Sequence, residues 1–371
     1  MRLTLIMFCS AVVVLAMGAG AGAAGTTRYV SPTGTDTGTC TASPCQTITY
    51  AVGQASSGDT ISVAPGTYAE SVVVTKTLAL VGHNATIDAA GQTAPPNGVV
   101  ISGAGAAGTS LTGFTVMNAG LEGVFVLETS GVTISSNTVV NNDAYGPFNP
   151  LCVDQPDDCG EAIHLQSVTG STVSKNLVQN NVGGILLTDE NGPTSGNVIR
   201  DNRVLDNTLD CGITLASHWF QLGAPAAPNV AGVYENLVLH NTSDGNGAAG
   251  IGVFAGPPGA AAWGNSVIGN TATHNGLPGV AIHSHTPFQN VEDNVVVNNT
   301  VAADGADEDL PGDDGPTGIS ILSAVNPIQH VTVAANRISD EEFGIFAFNA
   351  PHISGLPSNK FSSVATPVTL H

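Results

Sequence analysis

The sequence predicts an all-β solenoid, a chain wound so that each coil adds two or three short strands to parallel sheets. Three observations carry this. The pattern apolar-x-x-Asn-x-apolar-x-x-Asn/Asp recurs seven times, with its first Asn at 137, 176, 202, 236, 270, 299 and 336. A second motif follows each copy: Gly or Ala, then Ile or Val, any residue, then an apolar one, as in "GILL" (184–187), "GITL" (212–215) and "GVAI" (279–282). The chain is also rich in turn formers, with 45 Gly among 371 residues, and poor in aromatics at 5%. Repeats spaced by 39, 26, 34, 34, 29 and 37 residues are too irregular for propeller blades. They suit coils that stack at about 4.8 Å and bury a shared core.

The elements follow in order. Residues 1–24 read as a secretory signal peptide: one Arg, an apolar run, then small residues ending near Ala23 or Ala24. Residues 25–371 are expected to form one domain. Within it, 25–110 hold the N-terminal cap and first coils, 111–355 the Asn-repeat coils, and 356–371 a C-terminal tail or cap. Ile48, Ala51, Val52 and Ala55 share one helical face, so a short capping helix is expected to cover the first coil. The repeated Asn residues are expected to stack in one column, Asn137, Asn176, Asn202, Asn236, Asn270, Asn299 and Asn336. Each would take the left-handed bend itself and bond the amides above and below.

Export leaves five cysteines. Cys40 and Cys45 flank "TASP", and Cys152 and Cys159 flank "VDQPDD"; both pairs are disulfide candidates. Cys211 is left over, with pairing to Cys152 or Cys159 as the alternative. Loss of Arg2 leaves 7 basic against 29 acidic residues, a charge of −22. That opposes nucleic acid, anionic membranes and polyanionic sugars unless a cation intervenes. No later apolar run is long enough to span a bilayer. A monomeric protein, secreted or periplasmic, is expected.

The stretch "GDTISVAPGTYAESVVVTKTLALVGHNATID" (58–88), followed by the Asn repeats, resembles the right-handed parallel β-helix proteins of the pectate-lyase-like superfamily, most of all exported NosD-like proteins. The resemblance implies a right-handed parallel β-helix over roughly residues 28–355. It implies no one chemistry, because the superfamily holds lyases, hydrolases, epimerases and adhesins. The polygalacturonase-like set Asn-Thr-Asp, Gly-His-Gly and Arg-Ile-Lys is absent, as is the epimerase-like Asp-Pro-His-Asp.

Long inserts at 143–160, 242–249 and 303–316 precede the Gly-Ile-x-Leu strands, and others at 188–196, 216–229, 255–264 and 284–290 follow them. They wall a groove along that column, where function is expected. With Ile163, Ile185, Ile213 and Val280 inward, alternation turns His164, Thr188, Thr214 and His283 outward. Glu161, Asp189, Asp210 and His164 are the candidate acid–base residues. Glu161 and Asp210 precede strands two coils apart, ~10 Å at the coil spacing. Trp219, His218, His283, His285 and Thr214 are candidates to line a sugar site, with Trp219 either stacking on a ring or folding back onto its loop. His218, His283 and His285 are the candidate transition-metal ligands, since residues i and i+2 of a strand share a face. The acidic run "DGADEDLPGDDG" (304–315) is a candidate for Ca²⁺. The functional expectation is an extracellular protein that binds, and in its stronger form cleaves, a polysaccharide. The alternative is a non-catalytic surface protein, adhesin-like or a NosD-like metal-handling accessory.

Overall fold

The structure, a computed structural model, describes residues 25–94, 96–143, 160–307, 309 and 311–371. The expected signal peptide, Cys152 and Cys159 lie outside the described residues. Among the described residues, thirty parallel strands join in one wound sheet system, with a small three-stranded sheet beside it.

A central coil shows the plan. Val198–Arg200 runs to a bend at Asp201 and Asn202, Arg203–Leu205 to a bend at Asp206 and Asn207, and Ile213–Ser217 to a long loop. The chain returns through Val233–Tyr234 and a bend at Glu235 and Asn236 into the next coil at Leu237–Leu239. Three strand residues, one bend residue and one Asn make a five-residue step. That step explains Asn at 197, 202 and 207, and again at 236, 241 and 246.

Two expectations about the Asn repeat are corrected. First, there are three Asn columns. Asn137, Asn176, Asn202, Asn241, Asn270, Asn299, Asn336 and Asn359 form one, each side-chain amide donating to the next Oδ1 at 2.9–3.1 Å. Asn236 belongs to a second, between Asn197 and Asn265. Asn142, Asn181, Asn207, Asn246 and Asn275 form a third that ends on Asp304. Second, the left-handed conformation falls on the residue before the Asn: Ser136, Lys175, Asp201, Glu235 and His240 have φ of 54–57°. The Asn itself is turned inward and buried, so its role is hydrogen bonding rather than bend geometry.

The inward rows stack as expected. Ile163, Ile185, Ile213, Ile251, Val280, Ile319 and Ile345 are register partners, and all are fully buried. The helix Ile48–Gln54 buries Ile48, Ala51 and Val52 over the first coils. Thr47 caps its N-terminus, the Glu70 carboxylate accepts from the Ile48 and Thr49 N–H groups, and Lys76 donates to the Val52 and Ala55 carbonyls. Cys40 and Cys45 are bridged, and Cys211 is a free buried thiol. At the other end, Lys360–Leu370 is one more parallel strand, paired along Arg337–Phe348, where a tail or cap was expected.

Candidate functional site

The outward rows of the Gly-Ile-x-Leu column carry two polar assemblies. Their strands are Glu161–Gln166, Gly183–Thr188, Ile213–Ser217, Ile251–Ala255 and Val280–Ser284. Register sets Thr214 beside Leu186, Gly252 and then Ala281; two residues on, Ala216, Phe254, His283 and Leu322 align.

The first assembly is a chain of polar contacts across successive coils. Asn97 donates to Glu122, whose Oε1 lies 3.6 Å from His164 Nδ1. His164 Nε2 meets the Thr188 hydroxyl at 2.8 Å, and that hydroxyl donates to Glu190 Oε2 at 2.5 Å. Glu190 Oε1 bonds His218 Nδ1 at 2.7 Å. Burial pushes the Glu190 carboxyl up, but the His218 bond and charge, His164 and Thr188 outweigh it and hold the group below its ordinary value. His164 and Thr188 are buried inside this chain and so do not face open solvent.

The second assembly surrounds a cavity of about 460 Å³. Asp210, Thr214, Phe254, Ala281, His283, His285, Asp307 and Asp309 line it. His283 Nε2 bonds Asp307 Oδ2 at 2.7 Å, with both side chains buried, and lies 3.3 Å from Ser320 Oγ. Burial acts to raise Asp307, but His283 holds it below the usual carboxylate range. His285 is pulled down by burial and by the neighbouring His283. The two imidazole centroids are 5.4 Å apart, and Phe254 presents an edge contact to His283 at 5.4 Å.

Several expected site residues are placed elsewhere. Asp189 is fully buried: its oxygens accept from Ser217 Oγ at 2.8 Å and from the N–H groups of His218 at 2.7 Å, Trp219 at 3.3 Å and Gly232 at 2.6 Å. It anchors the 216–232 loop, and burial raises its carboxyl above the ordinary value. Glu161 is buried with its carboxylate over Gly183, where an added Cβ would meet Oε2 at 2.0 Å. Asp210 does line the cavity, and its Oδ1 accepts from Cys211 N at 2.6 Å. Glu161 and Asp210 are therefore not gathered at one opening.

Trp219 packs against Ala226, Ala231 and Ala261 and backs its own loop; the aromatic on the cavity is Phe254. The expected His218, His283 and His285 triad is also corrected. Ser217 pairs Ala255, which pairs Ser284, so His218 stands two coils from His285 and is taken by Glu190. Asp309 replaces it: ligand atoms of His283, His285 and Asp309 all lie within 4.8 Å of one another. In the acidic run, Asp307 bonds His283, Asp313 accepts from Thr317, and Asp304 ends an Asn column, so these three carboxylates serve different partners. A second hollow, of about 670 Å³, lies on another face, between Asp293, His330, Thr332 and His352.

Glu122 and Phe254 were not among the expected residues, and Asp307 and Asp309 were expected only within the acidic run offered to Ca²⁺. Phe254 sits in the same outward row as His283, and alternation alone identifies it. Asp307 and Asp309 come from a long insert whose return path no local pattern specifies.

The family described as a right-handed beta helix region matches residues 84–301. No curated protein matches the chain by sequence. Among solved structures, the Azotobacter vinelandii mannuronan C-5 epimerase AlgE4 A-module is similar with a TM-score of 0.60 at 13% identity, over 87% of this chain and 91% of that one. Pectate lyase Pel9A gives 0.56 at 14%, over 91% and 79%. PfbA, a surface adhesin of Streptococcus pneumoniae, gives 0.51 at 14%, over 83% and 85%. At such identities the likeness speaks for the fold. The family match covers more than half of the chain, and its wound parallel strands agree: the chain belongs to the right-handed β-helix family.

Proposed function

We propose that this is an extracellular polysaccharide-binding β-helix protein, acting as a monomer, whose binding site is the cavity between Asp210, Phe254 and His283. The observation that carries the reading is that cavity. It combines an apolar aromatic wall at Phe254 with carboxylates from two loops and imidazoles from the end of one strand, the mixture that holds a sugar ring by stacking and by its hydroxyls. The Cys40–Cys45 bridge supports an oxidising compartment. The net charge of −21 disfavours nucleic acid and favours a neutral or weakly charged sugar. The carbohydrate-acting proteins among its structural neighbours support a sugar partner on the same scaffold.

Cleavage is the stronger form of the proposal. It places acid–base work on Asp210, the expected catalytic carboxylate that lines the cavity, because Asp189 and His164 are held in other hydrogen bonds and Glu161 is buried away from the lining. A panel of neutral and acidic polysaccharides tests both forms, with retention scored for binding and new reducing or unsaturated ends for cleavage. Binding lost in Phe254→Ala supports the site. Turnover lost in Asp210→Asn with binding kept supports catalysis. Binding without turnover in the wild type leaves an adhesin-like protein, and absence of binding across the panel rejects the reading.

A further inference from the structure

We propose that His283, His285 and Asp309 form a binding site for a Zn²⁺-class divalent cation, with Asp307 orienting His283 and one coordination position open to the cavity. The site stands on its own geometry and does not depend on the sugar reading.

The strand Val280–Ser284 and its next residue supply the two imidazoles, since i and i+2 project from the same face. The third ligand comes from the insert that folds back over them. All three candidate ligand atoms already lie within 4.8 Å of one another. Tetrahedral zinc at ~2.1 Å needs ligand atoms about 3.4 Å apart. Side-chain rotation at His285 and Asp309, both less buried than His283, can supply the remaining closure.

The surrounding shell has the form that metal-binding histidines use. Asp307 holds His283 Nε2 at 2.7 Å inside the protein. With that nitrogen's proton committed to the carboxylate, Nδ1 is the ring nitrogen whose lone pair is available. A carboxylate behind a histidine fixes its tautomer and raises its basicity as a ligand. Two imidazoles and one carboxylate match zinc better than calcium, which takes six to eight oxygens. Phe254, Thr214 and Ala281 then shape the space in front of the open position. A cation there would also let a strongly acidic protein accept a sugar hydroxyl pair or carboxylate.

Calorimetry with ZnCl₂ on the chelator-treated protein tests this without any sugar. One equivalent should bind at micromolar concentration or tighter. His285→Ala and Asp309→Ala should each weaken binding at least tenfold, and Asp307→Asn about 10–100-fold, as for removal of a supporting carboxylate. His274→Ala, at an exposed ion pair on another face, should change nothing. Far-UV circular dichroism and a melting curve check that each variant is folded; His285 and Asp309 lie outside the apolar core, so they decide the matter if His283→Ala does not fold. Absence of saturable uptake by the wild type would overturn the site. So would unchanged uptake in a folded His283→Ala/His285→Ala variant, or Ca²⁺ bound as tightly as Zn²⁺ with no effect of His285→Ala.

Discussion

The Asn202 side-chain amide donates to Asn241 Oδ1 at 3.0 Å, across 39 residues of sequence and one coil of structure. Every hydrogen-bonding position of Asn202 is used: Nδ2 also reaches the Val173 carbonyl at 2.9 Å, and its Oδ1 accepts from both the backbone and side-chain amides of Asn176. Asn241→Ala should therefore leave buried donors and acceptors unpaired on both sides. A loss of about 1–3 kcal/mol in urea unfolding is expected. Asn236→Ala, in the second column, should cost about the same. A loss below a few tenths would remove the columns' structural role.

The third column ends in acids. Asn275 donates to Asp304 Oδ1 at 2.8 Å, and Asp304 N–H donates to Glu341 Oε1 at 3.1 Å. Asp304 Oδ2 and Glu341 Oε2 are buried without a partner. Burial pushes Asp304 up to about 7 and Glu341 up to about 8. A carboxyl raised on folding binds more protons folded than unfolded, so its contribution is full below the unfolded value near 4 and is lost as pH rises through the folded value. The melting temperature should fall as pH rises from about 4 towards about 8. Asp304→Asn restores an amide at the rung; it should flatten that slope and stabilise the protein at the alkaline end. An unchanged slope would mean that these acids are charged in the folded chain.

Asp189 ties four donors of the 216–232 loop to the end of the strand Gly183–Thr188. Asp189→Ala should free that loop before the solenoid melts. Limited proteolysis should show faster cleavage between residues 216 and 232, and Trp219 fluorescence should shift to the red as its packing on Ala226, Ala231 and Ala261 loosens. Global stability should drop by about 1–3 kcal/mol. Retained protection of the loop would contradict its anchoring by Asp189.

Much of the fold was legible in the sequence because a solenoid repeats its local rules. Alternation named Ile163, Ile185, Ile213 and Val280 as the inward row, and the helical spacing of Ile48, Ala51 and Val52 located the cap. Asn236 was misaligned because successive bends are five residues apart. The motif around Asn236 and Asn241 fits either column equally, and only strand register separates them. The site was legible where strands carry it: His283, His285 and Thr214 face the cavity as alternation requires. It was not legible where long inserts carry it. Insert length shows that a wall exists, but whether Asp307, Asp309 or Glu161 turns towards the cavity depends on contacts between coils. Trp219 illustrates the same limit: its sequence context fits stacking on a sugar, and packing on Ala226, Ala231 and Ala261 takes it instead.

The cavity as the binding site is tested most directly by the affinity of wild type and Phe254→Ala for whichever polysaccharide the panel retains, measured by calorimetry beside a Trp263→Ala control on the small outer sheet. Phe254→Ala should weaken binding by about 1–2 kcal/mol through lost aromatic contact, while Trp263→Ala should leave it unchanged. Binding that survives Phe254→Ala intact and is lost in Trp263→Ala would contradict this placement and move the site to the opposite side of the loop.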